Sequence, residues 1–536
     1  MSDTALQSTS PQPSAPHERR ISVMNIIGYA CVNFLGGGST VLISAWLMYF
    51  YTTMCDISAI SASLIFTAAR IFDALLNPVM GFITDNFYKN SLGRRFGRRR
   101  FFILLGIPAI LVVFPAMWLQ GMSLTYYFFI NLMYEIVFTM VIVSCVSLPA
   151  EMTRRAEDKT KLTGGKQVCG IIASTIAAFI PGLMFNIYGQ QDPTAFFMTG
   201  VTYGVMMAIS LVIVWMFTYE KPLSEIHTSA NTSTLGAILK SILTDVKAAL
   251  HLRAYRLHCV ILAMGCIYKN LATGIFTYYV VSVLFLAQSD AAWVLGITQM
   301  TSFAGLFICI FACLRFGAPK TFMLFTVIVA AGCLGFYALT YLNGSPAQVY
   351  ALAGVAIIAF AGRAGIDYIP VFQLPFMADI DEIVHGERRE GIFVGVNTLF
   401  SRAATGIEAF AIGLGLAAFG YTKGTTEQSE FTQFGILLIA ALIPLIFLGI
   451  GWLAAMRLKL NKETHKKVCL EVQRLKQGGA KADVDPEVKT IVEDLTGYKY
   501  EDCWTIIGAD KKAEAAPAAT QPAAASTTQD GEQSAK

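Results

Sequence analysis

Arg70-Ile71-Phe72-Asp73-Ala74-Leu75-Leu76-Asn77-Pro78, followed by Gly81 and Asp85, lies inside an apolar run from about Ile57 to Thr84. That run is long enough to cross a bilayer as a helix, which takes roughly 20 apolar residues. Arginine and aspartate three apart share one helix face, and Asn77 continues that face one turn on. Charges at membrane depth are costly, so they are rare and face a polar cavity or a partner. The run ends in a dense cationic loop, Lys89 to Arg100, where positive charge stays cytoplasmic. A mid-membrane ion pair leading into a basic loop reads as a transporter helix. The plainer reading is that Arg70 and Asp73 only neutralise each other.

Composition agrees with a membrane chain. The 536 residues are 55% hydrophobic and only 14% charged, with a mean hydropathy of +0.56. A soluble chain carries about a quarter charged residues. The formal net charge of +4 sits mostly in loops and implies no nucleic-acid partner. Eleven cysteines and six histidines are scattered without disulfide or metal spacing. Only Asp381 and His385 come near ligand spacing, so no metal, cofactor or catalytic cluster is expected. Met1 to Arg20 is polar and Ser/Pro-rich and lacks the apolar core of a signal peptide.

Hydropathy predicts an all-α membrane protein with twelve transmembrane helices in two six-helix bundles. The first six spans fall near 22–51, 57–85, 101–121, 123–149, 167–188 and 194–218. The second six fall near 257–287, 291–314, 320–342, 347–377, 391–420 and 432–456. The domains read as a cytoplasmic N-terminal segment 1–21, bundle 22–218, connector 219–256, bundle 257–457 and tail 458–536. An amphipathic helix is expected near Leu235–Leu252. All basic loops fall on one side if both termini are cytoplasmic, as expected for a bacterial inner membrane. Lys462 to Gln477 reads as a basic amphipathic helix on the membrane surface. The Ala/Pro-rich end from about Lys511 is expected to be disordered. Two bundles related by an axis along the membrane normal place the site between them.

Arg-Ile-Phe-Asp-Ala-Leu-Leu-Asn-Pro-Val-Met-Gly-Phe at 70–82 resembles the second helix of the glycoside–pentoside–hexuronide:cation symporters. These form the melibiose-permease branch of the major facilitator superfamily. Pro375-Phe376-Met377-Ala378-Asp379 and Gly386 to Gly395 look like that family's loop and entry into its eleventh helix. Leu148 to Thr153 resembles the end of its fourth. The likeness covers about residues 22–457 and implies the superfamily's fold, alternating access, and solute movement coupled to H⁺, Na⁺ or Li⁺. It implies a coupling site at Asp73, with Asn77, Thr398 and Arg402; Arg402 stands where melibiose permease carries a lysine. Arg70, Glu135, Lys166, Lys269, Asn270 and Asn397 are the candidate substrate-binding residues. Asp85, with Arg94 and Arg95, looks like the superfamily's loop between its second and third helices and implies gating. Gly37 stands at the family's sugar-binding aspartate, and Ile142 near the fourth-helix acid, so a melibiose-like solute is not expected.

The chemistry can be bounded. Sodium needs several hard oxygens, and here Asp73 offers one carboxylate, Asn77 a neutral oxygen and Thr398 a hydroxyl. A lone buried carboxylate suits a proton; burial disfavours its charged form while Arg70 favours it. Proton coupling is the preferred reading, then sodium, then uncoupled facilitation. Arg402 near Asp73 would be a cross-bundle charge switch, or else a static ion pair. Lys269 binds an anionic group of the solute or snorkels to the interface. Arg363 and Asp367 read as an intrahelical pair. Gly36-Gly37-Gly38 reads as close helix packing. The expected function is secondary symport of a glycoside-like or other small polar solute by a monomer in the lipid bilayer. The alternatives are a lysolipid or amphipathic-solute carrier of the same family and a non-transporting membrane sensor.

Overall fold

In a computed structural model, residues 21–153, 155–220, 244 and 246–504 are described. Every regular element among them is helical. Twelve long helices follow the hydropathy: α1 Val23–Thr53, α2 Ala59–Asn86, α3 Arg100–Ala116, α4 Leu124–Val146, α5 Ala156–Tyr188 and α6 Pro193–Phe217. The second half holds α7 Arg253–Ser282, α8 Gln288–Phe316, α9 Ala318–Leu339, α10 Gln348–His385, α11 Glu390–Ala418 and α12 Glu430–Arg457. Eleven of these are long and apolar enough to cross a membrane, and α3 is shorter. Its 17 residues reach about 26 Å at ~1.5 Å per residue. The span predicted near 101–121 ends early at Ala116, after Pro108 and Pro115.

Helix starts follow from capping side chains. Ser58, Ser123, Asp192 and Ser429 accept a backbone N–H two or three residues on, at the starts of α2, α4, α6 and α12. The two stretches Phe34–Gly38 and Ile43–Leu47 of α1 are wound as π-helix, a distortion that gathers at functional sites. Gly38, the last of the triple glycine, is a packing device. A Cβ on Gly38 would lie 1.7 Å from Tyr203 Oη, and that hydroxyl donates to Phe34 O at 2.8 Å. Only hydrogen lets α1 sit this close to α6.

Three expectations need correcting. α5 begins at Ala156, not near 167, so Lys166 lies well inside a helix and does not open it. Acidic Glu157 and Asp158 in the first turn favour the earlier start. α10 runs to His385, well past 377, and Gly386, in the left-handed region at φ +75°, ends it. The connection to α11, expected between 377 and 391, is only Gly386–Arg389.

The third correction is the tail, where Lys462–Gln477 reads in sequence as a membrane-surface helix. A helix, α13, does form at Lys462–Lys476, but its Val468, Val472 and Leu475 are buried in one apolar cluster with Val492, Leu495 and Tyr500. A second tail helix, α14 Pro486–Thr496, supplies two of those partners. The Trp504 amide donates to Val384 O at 3.0 Å. Residues 468, 472 and 475 share one face at helical spacing, and here that face is satisfied by protein. The connector helix near Leu235–Leu252 falls largely outside the described residues, of which 246–251 are helical. The segment from Lys511, residues 1–20 and Arg154 also lie outside them.

Candidate functional site

α2 and α11 cross closely where small groups face each other: a Cβ on Gly413 would lie 2.2 Å from Ser63 Cβ. One turn inward, Thr67 Oγ1 donates to Gly406 O at 3.3 Å. Nearly two turns further along α2 is Asp73, fully buried, with its Oδ2 2.6 Å from Arg402 Nη1. The other oxygen, Oδ1, accepts Thr139 Oγ1 from α4 at 2.6 Å and Asn77 Nδ2 at 3.1 Å. Asp73 therefore meets one guanidinium and two neutral donors, and Arg402 reaches it from the opposite half of the chain. Arg70 turns to the other side and pairs with Glu135 on α4 at 2.9 Å. The anticipated Arg70–Asp73 pair is thus replaced by two separate ones, each closed between helices.

Between the halves lies a cavity of about 900 Å³, lined by α1, α5, α7, α8 and α10. Its wall includes Asn33, Thr40, Gln167, Asn270, Gln299 and Ser302. Three cations, Lys159, Lys269 and Arg363, and one carboxylate, Asp367, also face it. Lys269 pairs with Asp367 at 2.9 Å, and Arg363 donates to Thr273 Oγ1 at 2.9 Å. Asp367 serves Lys269 on α7, which corrects the expected Arg363–Asp367 intrahelical pair. Asn270 donates to Thr405 Oγ1 at 3.1 Å.

The cavity opens toward the basic-loop side, where Lys159, Thr160 and Thr163 of α5 form its mouth. The other side is shut by bonds between the two halves. Thr52 and Tyr278 hydroxyls lie 2.7 Å apart, Thr277 donates to Ala45 O at 2.8 Å, and Gln288 donates to Tyr49 Oη at 3.2 Å. Gln190 and Ser289 exchange two bonds of 3.0 Å, and Lys423 pairs with Asp56 at 3.2 Å.

The remaining sequence candidates are placed as follows. Thr398 is exposed and donates to Val394 O; the hydroxyl at Asp73 is Thr139. Asn397 Oδ1 accepts from buried His258 Nε2 at 3.1 Å, a contact that packs α7 on α11 away from the cavity wall. Lys166 lies 6.0 Å over the Tyr29 ring, while its neighbour Gln167 lines the cavity. Of the six substrate candidates, only Lys269 and Asn270 line it. Arg94 and Arg95 are exposed, over Tyr88 O and the Phe96 ring. Asp85 pairs instead with Arg99 at 2.6 Å, and Arg99 and Arg98 both reach Glu151.

Glu220 completes that inner cluster by accepting the amides of Arg98, Arg99 and Arg100 at 3.0, 2.8 and 2.5 Å. Those of Arg99 and Arg100 are free N–H groups at the start of α3, and that of Arg98 immediately precedes it. Burial pushes the Glu220 carboxyl above the ordinary range, and the three amides pull against it. Sequence reasoning missed Glu151 and Glu220 as partners because loop acids are ordinary. It also missed Glu408, a carboxylate 7% exposed in α11 with no ion pair among the described residues. Its signal, a lone acid in an apolar span, is the same one that marks Glu135.

The MFS/sugar transport protein profile matches residues 28–462. The chain belongs to that family. Among relatives, the uncharacterized symporter YjmB of Bacillus subtilis (strain 168) is 25% identical, over 86% of this chain and 97% of its own length. The isoprimeverose transporter of Lactiplantibacillus pentosus is 22% identical, over 90% of this chain and 98% of its own. The crystal structure of a mutant of the nucleoside transporter NupG superposes with a TM-score of 0.57 at 12% identity, covering 81% of this chain and 100% of that one. The fold is that of the major facilitator superfamily. The family is one of transporters and not enzymes, and the chain is an integral, multi-pass membrane protein. The glycoside–pentoside–hexuronide resemblance of the 70–82 stretch is borne out by these relatives.

Proposed function

We propose that this chain is a proton-coupled symporter of a small polar, glycoside-like solute, working by alternating access as a monomer. Its basic loops and both termini would be cytoplasmic in a bacterial plasma membrane, which makes the present arrangement inward-open. The observation that carries the reading is Asp73, buried at the meeting of α2, α4 and α11 and tied across the two halves to Arg402. A proton on Asp73 Oδ2 removes the charge that holds Arg402 and so loosens the innermost link between α2 and α11. The solute, bound in the neighbouring cavity, would be carried when the halves rock.

The surroundings of Asp73 favour a proton over sodium. Sodium takes several oxygen ligands, whereas Thr139, Asn77 and Arg402 all present donors to this carboxylate. The cavity wall can bond a hydroxyl-rich solute, since amide and hydroxyl side chains recur along it. Lys159, Lys269 and Arg363 against Asp367 leave two positive charges in excess there, which would accept an acidic group on the solute.

Uptake into proteoliposomes tests this. Labelled glycosides, uronides and lysolipids are offered under an imposed pH gradient and, separately, an imposed Na⁺ gradient. Accumulation of a glycoside or uronide driven by the pH gradient supports the reading. Accumulation driven by Na⁺ alone, or of lysolipid alone, overturns it.

A further inference from the structure

The inner end of α10 and the tail helix α13 bring together three ligand-bearing side chains from stretches 86 residues apart in sequence. His465 and Cys469, at i and i+4 on α13, share one face. Asp379 projects from α10 to meet them: its Oδ2 is 2.9 Å from His465 Nε2, which is 3.5 Å from Cys469 Sγ. All three ligand atoms lie within 4.8 Å of one another. The His465 ring is fixed against Phe376, with ring centroids 4.6 Å apart. Asp379 is steadied through its other oxygen by Arg388 at 3.2 Å.

We propose that Asp379, His465 and Cys469 form a zinc site that staples the folded tail to the inner end of α10. The ligand set decides the metal: one thiolate, one imidazole and one carboxylate suit zinc, while magnesium and calcium take oxygen alone. The distances suit it too. Tetrahedral zinc places its nitrogen and sulfur ligands about 3.6 Å apart and its nitrogen and oxygen ligands about 3.3 Å apart. The nitrogen-to-sulfur separation already suits zinc, while the carboxylate oxygen must move a few tenths of an ångström from the imidazole and settle about 3.6 Å from the sulfur, within 4.8 Å of which it now lies. Three protein ligands leave a fourth position for water. Arg388 on the free oxygen of Asp379 is the kind of outer partner that orients a metal-bound carboxylate. The other candidate from the sequence, Asp381 with His385, does not qualify, because Arg389 occupies both Asp381 oxygens at 2.8 Å. The site ties the tail to the helix that carries Arg363 and Asp367 in the cavity wall.

Cobalt substitution tests this on the full-length protein purified in detergent and stripped with chelator. Stoichiometric Co²⁺ is expected to give a thiolate-to-metal charge-transfer band together with intense tetrahedral d–d bands, both displaced by Zn²⁺. Both should vanish in Cys469→Ser and persist in Cys503→Ser, the other cysteine of the described tail. Because a variant can disturb the tail itself, the native chain is also probed. Zn²⁺ should slow maleimide labelling of Cys469, read by peptide mass spectrometry, and leave labelling of Cys55 unchanged. Absence of the bands in the native protein, their survival in Cys469→Ser, or unchanged labelling of Cys469 with Zn²⁺ each overturns the proposal.

Discussion

Arg70 and Glu135 show what a membrane interior demands of single residues. Each is the other's ion-pair partner at 2.9 Å, so removing one strands the other. Arg70→Gln is expected to cost about 3–5 kcal/mol, the penalty of an uncompensated buried charge. Arg70→Gln with Glu135→Gln should recover most of it; thermal unfolding in detergent reads both. A milder effect is expected in the tail at Glu471, outside the membrane. Burial raises its carboxyl, but hydrogen bonds from Arg474 and Tyr500 outweigh that and hold it below the ordinary value. An acid lowered on folding contributes stability above its unfolded value, about 4.3, and that contribution is lost as pH falls through the folded value. Hydrogen-exchange protection across α13, corrected for the intrinsic rate at each pH, should therefore fall as pH drops below that range, and Glu471→Gln should weaken the dependence. Asp73 and Arg402 are legible in sequence because charge at membrane depth is conspicuous. Thr139 is not, since a hydroxyl in an apolar span normally bonds to its own helix. Thr398, expected in its place, does so.

At the scale of elements, two segments are legible in kind and not in partner. The triple glycine of α1 reads as close packing; Gly38 packs on Tyr203 of α6, while Gly36 and Gly37 line the cavity. Gly38→Ala forces overlap with that ring, and overpacking of this kind costs roughly 1–3 kcal/mol. The loss should appear as a lowered unfolding temperature, and Gly81→Ala, where a Cβ meets nothing within 4 Å, should leave packing unchanged. The tail helix reads from its spacing as amphipathic, but spacing cannot tell a lipid surface from a protein one. Val472, 5% exposed between α13 and its neighbours, discriminates. Val472→Asp should free the tail and make it a ready protease target in detergent micelles, whereas a helix held by lipid would already be cut in the wild type. The ends of α5 and α10 escape a hydropathy reading because polar turns continue past the apolar spans as helix.

The whole molecule is closed on one side and open on the other, and the closure is built from bonds between its halves. Gln190→Cys with Ser289→Cys, at positions joined by two 3.0 Å hydrogen bonds, should form a disulfide that halts transport until it is reduced. Twelve helices and their family are legible because bilayer thickness dictates span length and charge dictates loops. The pairing of Asp73 with Arg402 is foreseeable only through the resemblance, and the cavity wall needs three dimensions, since α1, α5, α7, α8 and α10 supply it from distant sequence. The central claim is that the coupling proton is handled at Asp73. Proteoliposomes loaded with a pH-sensitive dye test it most directly, using the solute identified by uptake and no imposed gradient. Adding solute outside should acidify the lumen with the wild type. With Asp73→Asn it should not, although labelled solute should still exchange across the membrane. Lumenal acidification that persists in Asp73→Asn would contradict the account and place the proton on another carboxylate.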